Sequence, residues 1–330
     1  MTIAGDLEML GSNAVFRGSR RPYNFRIRRN LISEATPGRS TSHHVYFENL
    51  DGAAFSIGPN HHITIKGGDW GPNYICGSDR GVIENKIGPD GNIRNQWPHH
   101  VVLDGLYIHD QNSHNLDACH FGGLFLISGH HLTIRNSVFS QNVVYQILVQ
   151  DFSNPSCCGM KFGQFRDVTI ENNWFGPPVE GLAPRGRGHT MNDGQPEVQF
   201  DARFGPWVNW LIRFNSFHNG FTFAAGRSGP VLRNVRVIGN VGGAPTCFRG
   251  APGLRWSANA WRGGVCGSSD VRLDQLPYRE LAIGAEDYHL TGGRARDLVR
   301  GKGRDFALAR DIDGQRRPRG SARDAGSDER

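Results

Sequence analysis

HHVVLDGLYIHDQNSHNLDACHFGGLFLISGHHLTIRNSVFSQNVVYQILVQDF, from His99 to Phe152, is the stretch on which the fold turns. It opens on the phrase His-His-apolar-x-apolar, repeats it at His130, and echoes two earlier copies, HHVYF at His43 and HHITI at His61. Later copies lose the histidines and keep the pattern. TIKGGDW at Thr64, VLDGLYI at Val102, TIRNSVF at Thr133, TIENNWF at Thr169, LIRFNSF at Leu211 and RVIGNVG at Arg236 align without gaps. One column then reads Ile65, Leu103, Ile134, Ile170, Ile212 and Val237. Three places on stand Gly68, Leu106, Ser137, Asn173, Asn215 and Asn240, and two further on Trp70, Ile108, Phe139, Phe175, Phe217 and Gly242. Alternation with period two indicates strands, and recurrence every roughly 20 to 45 residues indicates a solenoid that stacks equivalent positions.

Stacked repeats bring equivalent side chains about 4.8 Å apart, so apolar columns become interior stacks and asparagine columns become hydrogen-bonded ladders. Asn173, Asn215 and Asn240 mark such a ladder. Between the repeated strands lie further strand-like segments, AAFSI at Ala53, GVIEN at Gly81, GLFLI at Gly123, QILVQ at Gln146, EVQFD at Glu197 and FTFAA at Phe221. Two or three strands per repeat with almost no helical periodicity predict an all-β chain, a right-handed parallel β-helix. A β-propeller also repeats, but its blades need tight antiparallel hairpins that this sequence scarcely offers.

The repeat pattern resembles that of the pectin-lyase-like right-handed β-helix proteins. The ending DIDGQRRPRGSARDAGSDE, Asp311 to Glu329, is similar to the D-x-DG-x-x-RP…DAG-x-DE segment that often closes bacterial secreted members. The two likenesses cover the chain from about residue 41. They imply a carbohydrate-active protein, extracellular or at the cell surface, acting on a polysaccharide by β-elimination on a uronate or by glycoside hydrolysis. The alternative, from the same fold, is a non-catalytic glycan-binding or structural solenoid.

At 330 residues one solenoid domain is expected. Residues 1–40 read as an N-terminal cap or first repeat, 41–270 as the repeats, and 271–330 as an irregular C-terminal cap and wrapping tail. The net charge of +6 resides at the ends: residues 1–40 and 291–330 each carry +4, leaving −2 for the stretch between. That distribution excludes the basic stripe of a nucleic-acid binder. No apolar run reaches the roughly 20 residues of a membrane-spanning helix. TIAGDLEMLGSNAVF lacks the basic start and apolar core of a signal peptide. The expected partner is a polysaccharide, and the expected state a monomer. None of the six cysteines forms a C-x-x-C pair, which excludes zinc-ribbon and thioredoxin-like readings. Cys247 and Cys266 flank a loop that a disulfide can staple.

Three groups of polar residues stand out as candidate sites. The His-His doublets sit where the chain enters a strand, give way to Arg166-Asp167 and Arg233-Asn234 later, and lack accompanying carboxylates, so turn formation and stacking explain them better than metal binding. The column after the apolar one reads Lys66, Asp104, Arg135, Glu171 and Arg213. Its nearly alternating signs indicate a solvated salt-bridge ladder or a carbohydrate-facing strip. The loop IHDQNSHNLDACHFGG is different in kind, with His109, Asp110, Asn112, His114, Asn115, Asp117 and His120 in twelve residues. It reads as an Asx-rich turn or as the site itself. NLDACH resembles an H-x-D-x-x-Q phrase of bacterial members of the family, with Asn115 in place of the histidine and His120 in place of the glutamine. The expected catalytic set is therefore Asp117, His114, His120, Asp110 and Arg135, with Asp104, Asp110 and Asp117 as possible Ca²⁺ ligands. Lys66, Asp104, Tyr145, Gln146, Glu171 and Arg213 are expected to contact substrate.

Overall fold

The computed structural model describes residues 2–3, 7–8, 12–19, 25–33, 42–72, 86–87, 97–111, 122–143, 145–150, 165–179, 198–201, 207–224, 231–243, 245–247, 251–301 and 303–330. Among these there is no α-helix, only two short 3-10 turns at Gly293–Ala295 and Arg304–Phe306, and nearly every other regular element is a strand. All but two of the described strands assemble into two long parallel sheets, of ten and seventeen strands, compatible with a solenoid, and Tyr278–Glu280 pairs antiparallel with Asp287–Leu290.

The ten-stranded sheet collects the repeated phrase, running in order from Leu254–Ser257 through Val235–Ile238, Trp207–Arg213, Arg166–Glu171, His130–Arg135, His99–Asp104, His61–Lys66 and His43–Glu48 to Ala14–Arg17, with Leu232–Arg233 also pairing Trp207–Arg213. Its register is the sequence alignment made physical. Leu103 pairs with Ile65 and Ile134, Ile134 with Ile170, Ile170 with Ile212, and Ile212 with Val237. A slip of one residue would turn this whole column to solvent, so burial of one face fixes the pairing. Ile134, Ile170 and Ile212 are buried as the alternation requires.

The seventeen-stranded sheet takes the second strand of each repeat. Trp70, Ile108, Phe139, Phe175 and Phe217 pair in register, and the Phe139, Phe175 and Phe217 rings stack at 5.1 and 4.9 Å. It also contains the in-between segments, as Leu50–Ile57, Leu124–Leu126, Ile147–Gln150, Val198–Asp201 and Phe221–Ala224. GVIEN at 81–85 lies outside the described residues.

The asparagine ladder runs where the column placed it and further. Ser137 N donates to Asn173 Oδ1, Asn173 N to Asn215 Oδ1, Asn215 N to Asn240 Oδ1, Asn240 N to Asn259 Oδ1 and Asn259 N to Asp270 Oδ1, at 2.9 to 3.1 Å. The amide groups of Asn173, Asn215 and Asn240 also donate to the carbonyls of Ile134, Ile170 and Ile212. Each buried turn amide thus has an acceptor, which water cannot supply there.

Ala14–Arg17 pairs with His43–Glu48 in the same register and adds a strand to the ten-stranded sheet. The C-terminal segment lies along the turns that follow the ten-stranded sheet and shares an apolar cluster with Leu211, Phe214, Ile238 and Val241. Arg317 holds it: the guanidinium donates to Asp324 O, Gly326 O and Asn172 Oδ1 and stands 5.0 Å over the Phe214 ring. Asp311, Asp324, Asp328 and Glu329 of the closing motif are buried as well, whereas Asp313 is exposed. Asp311 accepts from Gln315 N, Asp324 from Asp297 N, Asp328 from Leu290 N, and Glu329 from Arg319 N. Burial pushes the Asp311, Asp324 and Glu329 carboxyls up and lowers Arg317 to about 10, so the network holds charge at a desolvation cost. Cys247 and Cys266 are disulfide-bonded across a Cα separation of 5.2 Å, as the flanked loop led us to expect.

Candidate functional site

The charged column is continuous through the ten-stranded sheet. Asp104 pairs in register with Lys66 and Arg135, Arg135 with Glu171, and Glu171 with Arg213, while Glu48 and Arg17 extend the file beyond Lys66. Signs therefore alternate strictly from Arg17 to Arg213. Arg17 bonds Glu48 at 2.7 Å, Arg135 bonds Asp104 at 2.9 Å, and Arg213 bonds Glu171 at 2.6 Å. The expectation that Glu171 and Arg213 are exposed needs correction, because both are buried. The 3-10 turn at Arg304–Phe306 lies over them, and Arg213 Nη1 donates to the carbonyls of Arg304 and Asp305. They hold the tail, and no room is left for a ligand.

Gln146 was expected on the ligand side and is instead wholly buried, its amide donating to Pro177 O and accepting from Asn142 Nδ2. Tyr145 packs beside Phe125, Ile127 and Leu148. Asp104 ends a strand of the ten-stranded sheet, whereas Asp110 follows the strand Tyr107–His109 of the seventeen-stranded one. Asp104 receives Arg135 on one oxygen and Asn136 Nδ2 on the other, and Asp110 receives His109. Neither falls in a cluster of metal-ligating groups among the described residues. His114, Asp117 and His120 lie outside the described residues.

Asp110 belongs to a constellation that sequence reading caught only in part. His109 Nδ1 bonds Asp110 Oδ2 and His109 Nε2 bonds Asp69 Oδ1, both at 2.7 Å. Burial alone would lower this imidazole, but the two carboxylates outweigh it and raise it to about 9, so His109 is an imidazolium held in a clamp. Tyr107 stacks on it at 4.3 Å. Tyr107 is also the first of three outward register neighbours, Tyr107, Val138 and Trp174. Over these the tail folds Gly284, Ala285, Glu286 and Tyr288, enclosing a pocket of about 340 Å³. Ser140 Oγ donates to Glu286 Oε1 at 3.2 Å and Gly284 N to Glu286 Oε2 at 2.9 Å, which aims the carboxylate across the floor. The buried Trp174 Nε1 has no hydrogen-bond partner among the described residues. A pocket walled by aromatic faces with a few fixed polar groups is the usual composition of a small-ligand site.

The histidine doublets form a second feature, on the other sheet. His43, His61, His99 and His130 stack with ring centroids 5.1, 4.6 and 4.9 Å apart, and His44, His62, His100 and His131 at 4.4, 4.5 and 4.5 Å. The second member of each doublet has φ of 54 to 55°, as have Asp167, Asn209 and Asn234 at 55 to 59° in later repeats. Histidine, aspartate and asparagine are the non-glycine residues that best tolerate this left-handed region, which is the local reason for the column. Burial, then the neighbouring imidazoles, lower His99 to about 4. Burial, then the Arg166 charge, lowers His130 to about 4. A shallow groove of about 600 Å³ runs beside the second column, past Tyr46, Thr64, Val102 and Thr133.

No family model, curated protein or solved structure matches this chain. Asp69, Tyr107, Trp174, Glu286 and Tyr288 are site residues missed in the sequence. The first three were within reach, standing one place before Trp70, Ile108 and Phe175 in the aligned column, where the alternation turns side chains outward. Glu286 and Tyr288 lie in the irregular tail, where no period marks them.

Proposed function

We propose that the chain is a right-handed parallel β-helix of the pectin-lyase-like kind that holds an extracellular polysaccharide, and that the pocket between Tyr107, Trp174, Tyr288 and Glu286 is its sugar subsite. The pocket is the observation that carries the reading. Aromatic faces attract the C–H edges of a sugar ring through their quadrupole, while Ser140, Gln141 and Glu286 offer donors and acceptors to its hydroxyls. The charged groups nearby favour a neutral glycan. Glu286 is a carboxylate, and the His109 clamp sums one imidazolium and two carboxylates to −1. β-Elimination on a uronate needs a cation beside the substrate carboxylate, so hydrolysis or plain binding suits this pocket better.

The non-catalytic reading draws support from one further fact: the carboxylates beside the pocket are already engaged, Asp69 and Asp110 by His109 and Glu286 by Ser140 and Gly284. Incubation with neutral and uronate polysaccharides, followed by a reducing-end assay and ultraviolet absorbance for unsaturated products, separates the cases. Reducing ends alone indicate hydrolysis, unsaturated products restore the lyase expectation, and neither leaves binding. In calorimetry, Trp174→Ala is expected to weaken glycan binding by roughly 2- to 10-fold, the worth of one aromatic contact. Glycan binding that is absent from the wild-type protein, or untouched by Trp174→Ala and Glu286→Gln together, refutes the subsite.

A further inference from the structure

The eight stacked imidazoles exceed what their turn requires. Later repeats satisfy the same left-handed position with Asp167, Asn209 and Asn234. They satisfy the preceding position with Arg166 and Val208, which pair in the same register as His130. The fold therefore accepts other residues in both columns, yet four consecutive repeats place histidine in both.

Their geometry is that of a chelate. In each doublet the two Nδ1 atoms face one another at 2.8 to 2.9 Å, so one carries the hydrogen and the other presents its lone pair. Two metal–nitrogen bonds of about 2.0 to 2.1 Å separate their nitrogens by about 2.9 Å at a right angle and about 3.4 Å at the tetrahedral angle. The doublets already stand at that spacing. A third nitrogen comes from the neighbouring repeat: ligand atoms of His44, His61 and His62 lie within 4.8 Å of one another, and so do those of His62, His99 and His100.

We infer that these columns bind a divalent transition-metal ion of the imidazole-preferring class, Zn²⁺, Ni²⁺ or Cu²⁺, through His61, His62 and His44 or through His99, His100 and His62. His62 is common to both triads, so the two placements exclude each other and one tight ion is bound per chain. Binding exchanges one contact for another. The imidazole that donates through Nδ1 moves its hydrogen to Nε2, both Nδ1 lone pairs then face the ion, and a neutral doublet releases no proton. With three nitrogens and no carboxylate, the site keeps positions open for water or an exogenous ligand from the groove beside it. It is on the opposite sheet from the proposed sugar subsite and does not depend on it.

The test is calorimetric titration of the untagged full chain at pH 7.5 with Zn²⁺, Ni²⁺ and Cu²⁺ salts, together with the Cu²⁺ paramagnetic resonance spectrum. One ion per chain is expected, Cu²⁺ tightest in accord with the order of divalent affinities, with hyperfine coupling to three nitrogens. His62→Asn places at that turn the residue already present at Asn209 and Asn234. It is expected to keep the metal-free melting temperature and to weaken binding by more than the roughly 10- to 100-fold that loss of an outer-shell partner costs. His131→Asn, outside both triads, is expected to leave binding unchanged. The proposal falls if the wild-type chain takes up no saturable ion, if the copper spectrum shows fewer than three coupled nitrogens, or if His62→Asn binds as tightly as wild type.

Discussion

The outer face of the ten-stranded sheet is one surface in two environments. Over the strands that begin at Ala14, His43, His61, His99 and His130 it is open: the histidine columns meet a groove, and Arg17 and Arg135 keep 66% and 43% of their side chains in solvent. Over the repeats that begin at Arg166 and Trp207 the tail covers it, and Arg213 and Glu171 fall to 11% and 8%. Register, spacing and sign alternation are the same in both halves. What differs is the dielectric, and with it the meaning of an ion pair: an optional contact in water, a structural necessity under cover.

The largest effect expected follows directly. Glu171→Ala leaves the Arg213 guanidinium buried beside carbonyls alone, and should cost about 3–5 kcal/mol in urea unfolding. Arg17→Ala, at the open end of the same file, should cost no more than about 1 kcal/mol. Equal losses would erase the distinction between the two halves. The asparagine ladder offers a second, smaller contrast. Asn215→Ala orphans the Asn173 amide and the Ile170 carbonyl and should cost about 1–3 kcal/mol for each buried group left unpaired. Asn209→Gly keeps the left-handed turn and removes only two exposed bonds, one to Asp167 and one from Asn234, so its loss should stay within about 1 kcal/mol.

The smallest effects are pH-dependent and have opposite signs on the two sheets. His99 and His130 are depressed to about 4, so the stability they confer is present above the ordinary histidine value of 6.5 and is lost as pH falls toward 4. His109 is raised to about 9, so its contribution is present below 6.5 and is lost as pH rises through 9. Proton resonance of the imidazoles should resolve the two groups, and Asp69→Asn should remove much of the alkaline loss in melting temperature without touching the acid one. A common midpoint near 6.5 for all these histidines would show that neither environment acts on them.

Register was readable in the sequence because every repeat writes it again: Ile134, Ile170 and Ile212 occupy one column, and so do Asn173, Asn215 and Asn240. Burial of the charged column was not, because the cover comes from Arg304 and Asp305, some ninety residues beyond Arg213 and in a segment without period. Arg17 and Glu48 escaped notice for a related reason. They precede the first full copy of the aligned phrase, and only pairing across Ala14–Arg17 joins them to the file. The clamp on His109 needed Asp69, forty residues earlier and one repeat below, a neighbour that stacking supplies and proximity in the chain does not.

The Arg317 network has a consequence for the order and speed of assembly. A strand in either sheet finds its partner one repeat away, so the body can grow by successive short closures, each repeat using its predecessor as template. The tail cannot join until those repeats exist: Ser327 bonds Ser216 at a separation of 111 residues, and Arg317 bonds Asn172 at 145. It thus docks on repeats already paired, so its contacts form late. Contacts absent from the folding transition state slow unfolding without hastening folding. The closing motif therefore works as a kinetic latch, setting the native lifetime of repeats that assemble without it.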